Sequence, residues 1–142
     1  MRSGVLVVLV LVLLGCSRFG EATIRIDQAE AELAGLVDEV VAAIDLEVTQ
    51  ASPFGERSRC QLVTTETGAA NRASLRGPAP DTPDLLERAA AVLTDAGYVL
   101  VPGEQPEEVF GRRDGLRLTV AIDRGTGEVA IDANTDCRPL PR

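Results

Sequence analysis

Residues 116–134 constrain the fold most, because two alternating runs flank a short turn. The run LRLTVAID and the run EVAIDAN each place apolar side chains at every second position, and the four residues RGTG join them. This alternation predicts an antiparallel hairpin with one dry side and one wet side. The dry side must be covered by apolar surface from elsewhere in the chain.

Two segments have the spacing of amphipathic helices. In residues 23–46, apolar side chains recur every three or four positions, and acidic side chains occupy the other face. The segment PDLLERAAAVLTDAGY shows the same spacing. For this second helix we expect Thr82 as N-cap, Pro83 as the first helical residue, and Gly97 at the C′ position.

The remaining segments predict strands. CQLVTTETGAANRASLRGPAP predicts two strands joined at Gly68, with Cys60 opening the first; YVLV predicts a strand after the second helix, and EVFGRR a short strand that enters an Asp114-Gly115 turn. The order is therefore α-β-β-α-β-(β)-β-β. Because helices and antiparallel strands are segregated, we predict an α+β domain: one antiparallel sheet of five or six strands with two helices packed on one face.

The N-terminus carries a secretory leader. Residues 5–14 are ten apolar residues behind Arg2, too few for a membrane-spanning helix, which needs about 20. Ordinary signal cleavage requires a small residue at −3, where Leu13 stands. The sequence LLGC instead resembles the lipobox of bacterial lipoproteins, which implies cleavage before Cys16 and a diacylglyceryl thioether on that cysteine. An ordinary or uncleaved signal and a soluble intracellular chain remain the alternatives.

The lipobox resemblance implies a simple organisation. Residues 1–15 form a signal peptide, residues 16–22 the lipidated cysteine and a tether, and residues 23–142 a single domain. Two or three acyl chains hold a protein firmly to a bilayer, whereas one chain binds reversibly. We therefore expect the protein on the outer face of the cell membrane, with the membrane as partner of the lipid on Cys16.

Two further cysteines predict a crosslink. Apart from Cys16, the chain has two cysteines, Cys60 and Cys137, which are 77 positions apart. An even number of cysteines in a chain that we expect to be exported is typical of a disulfide. A disulfide needs their Cα atoms within about 7 Å, and closing so long a loop stabilises by roughly 4–5 kcal/mol. The redox-active alternative requires a C-x-x-C motif or an exposed thiol of low pKa, and neither pattern is visible in the sequence.

As a whole, the chain resembles a group of small actinobacterial cell-envelope lipoproteins of unknown function. The shared features are the lipobox, an acidic first helix, a cysteine early in the sheet, Gly97-Tyr98 at the end of the second helix, a final hairpin, and TDC before the C-terminus. Lys, His and Trp are absent, a bias typical of a high-GC genome. The resemblance implies a lipobox leader followed by one disulfide-linked α+β domain, and it implies no activity.

The net negative charge limits the classes of partner that the protein can bind. The net charge is −8, and without the leader 13 arginines face 22 acidic residues. Nucleic acid and an anionic membrane surface are therefore unsuitable as general partners. Locally, the predicted strands carry Arg72, Arg76, Arg112, Arg113 and Arg117. If these strands are neighbours, the arginines form a basic stripe that can bind a phosphate or carboxylate, with Arg72, Arg76 and Arg117 as the candidate contacts with an anion or a partner. The favoured interpretation is a solvated strand face in which arginine is the only available cation.

The sequence contains few of the residue patterns that catalysis or metal binding requires. Histidine is absent, the serines lie in no known nucleophile motif, and no tryptophan offers a sugar platform beside the many carboxylates. Asp132, Asn134 and Asp136 have the alternating oxygens of a calcium loop, but the turn glycine and the twelfth-position Glu are missing. The favoured interpretation is that this spacing places three polar side chains on the wet face of the last strand. We therefore expect no enzyme, no cofactor and no metal.

Two hypotheses for function follow. The first is a non-enzymatic interaction or accessory module of the cell envelope, whose partner is an envelope or secreted protein. The alternative is a carrier of a small apolar or amphiphilic ligand held between helices and sheet. A carrier needs an apolar cavity of roughly several hundred cubic ångströms, whereas an interaction module should be packed solid and expose its contact surface.

Overall fold

The computed structural model describes residues 24–103 and 107–142. The predicted signal peptide, Cys16 and the tether lie outside these residues. Within them are two helices and nine strands: α1 Ile26–Ile44, β1 Gln50–Ser52, β2 Ser58–Gln61, β3 Thr67–Ala70, β4 Arg72–Pro78, α2 Leu85–Asp95, β5 Val99–Val101, β6 Glu108–Arg113, β7 Leu116–Asp123, β8 Glu128–Asn134 and β9 Arg138–Pro139. No helix of the described part is both long and apolar enough to span a membrane.

Six strands form the main sheet in the order β1-β4-β8-β7-β6-β5, and every neighbouring pair is antiparallel. The β7–β8 hairpin is formed as predicted, with Leu118 opposite Ala133 and Val120 opposite Ile131. The Asp114-Gly115 turn joins β6 to β7, and both residues have positive φ. The predicted α+β class and element order are confirmed.

The dry face of the main sheet forms the core. Leu118, Val120 and Val129 are completely buried there. Both helices contact this face and each other. The helices contribute Ala29, Leu33, Leu36, Val37, Val40, Ile44, Leu85, Ala89 and Leu93 to one continuous apolar cluster with the sheet. At about 25 cal/mol per Å² of apolar surface removed from water, this cluster supplies the main stabilisation.

A second, three-stranded sheet of order β2-β3-β9 was not predicted. It continues the β4–β8 ladder beyond the end of the main sheet, because Asn71 alone separates β3 from β4 and a short segment separates β8 from β9. At the junction, the Thr135 backbone N–H donates to the Asn71 carbonyl over 2.9 Å. The Asn71 N–H donates to the Thr135 hydroxyl over 2.8 Å. The two sheets are thus joined by a buried polar pair.

The predicted disulfide is present. Cys60 in β2 is bonded to Cys137, just before β9, with a Cα–Cα distance of 5.9 Å. Because β2 and β9 both pair with β3 rather than with each other, the bridge passes over the face of β3. It ties the middle of the chain to its C-terminus.

The predicted turn at Gly68 is wrong. The turn occupies residues 62–66, where Thr65 has a φ of 67°, and Gly68 lies inside β3. A Cβ at position 68 would lie 2.7 Å from the Arg138 carbonyl oxygen and 2.9 Å from the Cys137 sulfur. The glycine therefore makes room for the disulfide rather than for a turn. Cys60 correspondingly lies within β2 instead of opening it.

The predicted start of α2 is also wrong. The helix begins at Leu85, with Asp84 as the N-cap residue in a left-handed conformation. The Thr82 hydroxyl does not cap it but donates to the Ile44 carbonyl over 2.8 Å, an otherwise unpaired group at the C-terminus of α1. Thr82 therefore ties the connection before α2 to the end of α1.

The predicted end of α2 is confirmed. Gly97 has a φ of 82°, and its N–H donates to the Thr94 carbonyl over 2.9 Å. The Tyr98 N–H donates to the Leu93 carbonyl, also over 2.9 Å. These two bonds define a Schellman motif, in which glycine is favoured because the left-handed residue has no Cβ. The chain then enters β5 directly.

Candidate functional site

The face of the main sheet opposite the helices is open. Its register places four polar residues side by side across four adjacent strands: Arg72 opposite Asn134, Asn134 opposite Arg117, and Arg117 opposite Arg112. Directly opposed residues project from the same face of a sheet. We call Arg72, Arg112 and Arg117 the arginine row, with Asn134 between the first arginine and the other two.

The arginine row lies at one end of the sheet. Arg72 is the first residue of β4, Asn134 the last residue of β8, and Arg117 the second residue of β7. Arg112 is the last but one residue of β6. With strands about 4.8 Å apart, the row extends roughly 14 Å across the sheet. The β6–β7 and β7–β8 hairpins and the long-range β4–β8 pairing therefore bring the three cations to one end of the sheet.

Carboxylates lie near the row: Asp114 and Asp136 line the same depression as Arg112 and Arg117, and Glu56 lines another with Arg72. The three arginines of the row are exposed, and none of them forms an ion pair with any residue in the described parts of the chain. Arg112 and Arg117 are directly opposed. Like charges directly opposite one another in a sheet are destabilising, and this cost falls when an anion binds between them.

The other two arginines of the predicted stripe lie elsewhere. Arg76 shares the open face but lies four residues further along β4, roughly 13 Å from Arg72 at the rise of a strand. Arg113 is on the opposite side of β6, where its guanidinium pairs with Glu32 and donates to the Ala96 carbonyl. The predicted stripe is thus a shorter row.

Arg113 and Tyr98 contact each other on the face of the sheet opposite the arginine row. The Arg113 guanidinium carbon lies 4.9 Å from the centre of the Tyr98 ring, and the Tyr98 hydroxyl donates to Glu32 over 3.3 Å. Burial, and secondarily the negative charge of Asp114, raise the pKa of Tyr98 to about 12. These contacts connect α1, the end of α2 and β6.

An open depression of about 640 Å³ lies at this corner of the domain. Arg112 and Arg117 line it together with Asp114, Asp136 and the exposed Val99. Planar guanidinium groups bind carboxylates and phosphates through two parallel hydrogen bonds. Arg112 and Arg117 provide such groups next to two carboxylates, and the shallow form of the depression does not enclose a ligand.

The residues that the structure describes line one small apolar cavity between a helix and the main sheet. This cavity lies between α1, β4 and β8 and has a volume of about 150 Å³. Cavities that hold small-molecule ligands measure about 300–1,000 Å³. The cavity is lined by Ala34, Val37, Asp38, Pro53, Phe54, Ala73, Ser74, Leu75 and Ile131. It leaves room for a few methyl groups and not for the ligand that a carrier would hold.

The calcium-loop candidates do not assemble. Asp132 and Asn134 lie on the open face of β8, whereas the Asp136 carboxylate accepts a hydrogen bond from Arg138. Across residues 24–103 and 107–142, no three side chains of the His, Cys, Asp or Glu types converge as a metal site would require. These polar residues follow the alternation of a strand instead.

The sequence alone does not predict the row as such. Arg112 belongs to the predicted basic stripe and Asn134 to the polar face of the last strand, but their alignment with Arg72 and Arg117 depends on the register of the sheet. Part of the signal was available in the β7–β8 hairpin, where Asn134 and Arg117 fall on the polar face at opposed positions. No protein-family model, curated protein or solved structure matches this chain. Function is therefore inferred from the chain's own residues and geometry.

Proposed function

We propose that the protein is a membrane-anchored, extracytoplasmic lipoprotein that acts as a non-enzymatic interaction or accessory module of the cell envelope. The observation that carries this proposal is the contrast between the two faces of the main sheet. Two helices close the dry face around a packed core, while the open face presents the exposed arginine row. An exposed polar surface over a packed core suits an interaction module.

The proposed lipid anchor is supported by the N-terminal leader sequence. The ten apolar residues 5–14 and the sequence LLGC are the features of a lipoprotein signal, and they support lipidation of Cys16. The Cys60–Cys137 disulfide supports export independently, because structural disulfides persist in oxidising compartments and are rare in the reducing cytosol. The resemblance to small actinobacterial envelope lipoproteins supports the same location.

The anchor is tested by the Cys16→Ala variant. In the host, we expect wild type in the membrane fraction and the variant either released or retained as an uncleaved precursor. Ser17→Ala, next in the chain, is the matched control and should behave as wild type. If the Cys16→Ala variant is processed and remains bound to membranes like wild type, the lipoprotein proposal is wrong.

Native mass spectrometry separates the interaction module from the carrier. We expect the protein purified from host membranes to have the mass of the lipidated polypeptide alone, because the apolar cavity of about 150 Å³ is too small for a ligand. A reproducible additional mass, lost on unfolding, would favour the carrier and overturn the interaction module.

A further inference from the structure

Helix α1 begins at the end of the sheet that carries the arginine row. Glu30, near the helix start, accepts a hydrogen bond of 2.7 Å from Asn71, the residue before Arg72. At the other end of α1, the Thr49 N–H donates to the Arg76 carbonyl over 2.9 Å. The helix thus runs along the sheet away from the row, and the chain enters the domain beside it.

The tether limits how far this end lies from the bilayer. Eight residue steps separate Cys16 from Ile24, where the described chain begins. Even fully extended, eight residues span at most about 29 Å. A domain held by lipid on Cys16 therefore keeps the start of α1, and the arginine row beside it, close to the membrane surface.

We propose that the arginine row binds the phosphate groups of anionic phospholipids in the membrane to which the protein is anchored. The row thereby fixes the orientation of the domain, with its opposite end directed away from the bilayer. This inference rests on the proposed function, because it requires the lipid anchor at Cys16.

Charge complementarity favours this orientation. The row presents three exposed arginines, whereas the chain without its leader has an excess of nine negative charges. An anionic bilayer therefore attracts the row and repels most of the remaining surface. Each arginine near such a surface strengthens binding about fivefold. A lipid phosphate between Arg112 and Arg117 also relieves the repulsion between these two opposed cations.

An exposed valine is a second feature of this end. Val63 is fully exposed in the turn of the β2–β3 hairpin, residues 62–66. The small sheet continues the β4–β8 ladder beyond the arginine row, so this turn lies at the extremity of the domain. An apolar side chain at the boundary of the acyl chains contributes to membrane binding in addition to charge. Val63 would therefore add an apolar contact with the bilayer to the charge interactions of the row.

Hydrogen–deuterium exchange of the anchored protein tests the inference. Wild type, lipidated in the host, is reconstituted into vesicles of phosphatidylcholine or of phosphatidylcholine mixed with phosphatidylglycerol. Phosphatidylglycerol should slow exchange at least about fivefold in peptides covering the Asp114-Gly115 turn and the start of β4. Residues 124–127, in the turn at the other end of β7, should exchange equally in both vesicles.

Two triple variants of equal net charge show which arginines are responsible for the slower exchange. Arg72→Gln, Arg112→Gln and Arg117→Gln together should abolish the slowing. The control combines Arg76→Gln, Arg88→Gln and Arg124→Gln, which remove three arginines away from the row and should retain it. Equal loss in both triple variants would show a general charge effect and overturn the inference.

The remaining outcomes separate this inference from the proposed function. A purified protein whose intact mass lacks the diacylglyceryl group contradicts the proposed function itself. A lipidated protein whose exchange is the same in both vesicles contradicts only the lipid contact of the arginine row. Slowing on intact cell envelopes but not on phosphatidylglycerol vesicles would assign the row to a protein partner and overturn the lipid assignment.

Discussion

Gly68 lies directly opposite Cys60 in the β2–β3 ladder. The sulfur of Cys137 occupies the space where a side chain at position 68 would begin, 2.9 Å from an ideal Cβ. The disulfide passes over β3 on its way from β2 to the chain before β9, and only a glycine lets it pass so closely. The crosslink and the glycine are therefore one structural unit.

Gly68→Ala should lower the free energy of unfolding by about 1–3 kcal/mol, as overpacking of a filled site does. Gly35→Ala is the matched control, because a Cβ there meets no atom within 4 Å. Gly35 lies inside α1, where alanine is favoured over glycine by up to about 1 kcal/mol. Urea unfolding measures both. Equal stability of Gly68→Ala and wild type would contradict the close packing around the disulfide.

Reduction of the Cys60–Cys137 disulfide should lower the free energy of unfolding by about 4–5 kcal/mol, because the unfolded chain regains the freedom of a loop of 77 residues. The measurement is urea unfolding with and without a reductant, monitored by circular dichroism. The Cys60→Ser/Cys137→Ser variant controls for effects of the reductant and should match the reduced protein. Two free thiols in unreduced, exported protein would contradict the crosslink.

The parts of the fold that depend on local pattern were predictable. The β7–β8 hairpin follows from alternation, and α2 ends at Gly97 because the Schellman motif has a local signature. The start of α2 was not predictable in this way. The hydroxyl of Thr82 is used by the Ile44 carbonyl at the end of the other helix, and that contact depends on tertiary packing.

A strand whose residues do not alternate between apolar and polar was also not predicted. Strand β1 has three exposed residues and is a strand only because it pairs with β4. The arginine row was foreseen in part, since outward strand positions favour polar residues. The β7–β8 hairpin places Arg117 opposite Asn134 by a local pattern. Arg72 joins them only through the register of β4 and β8, two strands far apart in sequence, and no local pattern determines that register.

Tyr98 should titrate with a midpoint of about 12, because burial raises the pKa of its phenol above the ordinary value of 10.0. It is the only tyrosine of a chain without tryptophan, so ultraviolet absorbance follows it directly. Between these two values the unfolded state binds fewer protons than the folded state, so stability should fall as the pH rises. Protein in concentrated guanidinium chloride is the control. A midpoint near 10 in folded protein would contradict the burial.

Glu30→Gln should reduce the loss of stability in acid. Hydrogen bonding to Arg57, and secondarily to Asn71, lowers the pKa of Glu30 below its ordinary value of 4.5. The ionised carboxylate therefore stabilises the fold at neutral pH, and this contribution is lost as the pH falls below about 4.5. The variant should be about 1 kcal/mol less stable than wild type at pH 7, with a smaller difference in acid.

Glu39→Gln is the control for this experiment, because Glu39 is exposed on the same helix. It should leave the pH dependence of unfolding unchanged. A constant difference between Glu30→Gln and wild type, from neutral pH to the acid limit of folding, would contradict the role of the ionised Glu30.

The chemical state of Cys16 decides whether the protein is a membrane-anchored lipoprotein. The measurement is mass spectrometry of the N-terminal peptide from protein purified out of the membranes of its host. We expect the mature chain to begin at Cys16 and to carry a diacylglyceryl group on that cysteine. A mature chain that begins at another residue, or a Cys16 without lipid in membrane-derived protein, would contradict the lipoprotein proposal.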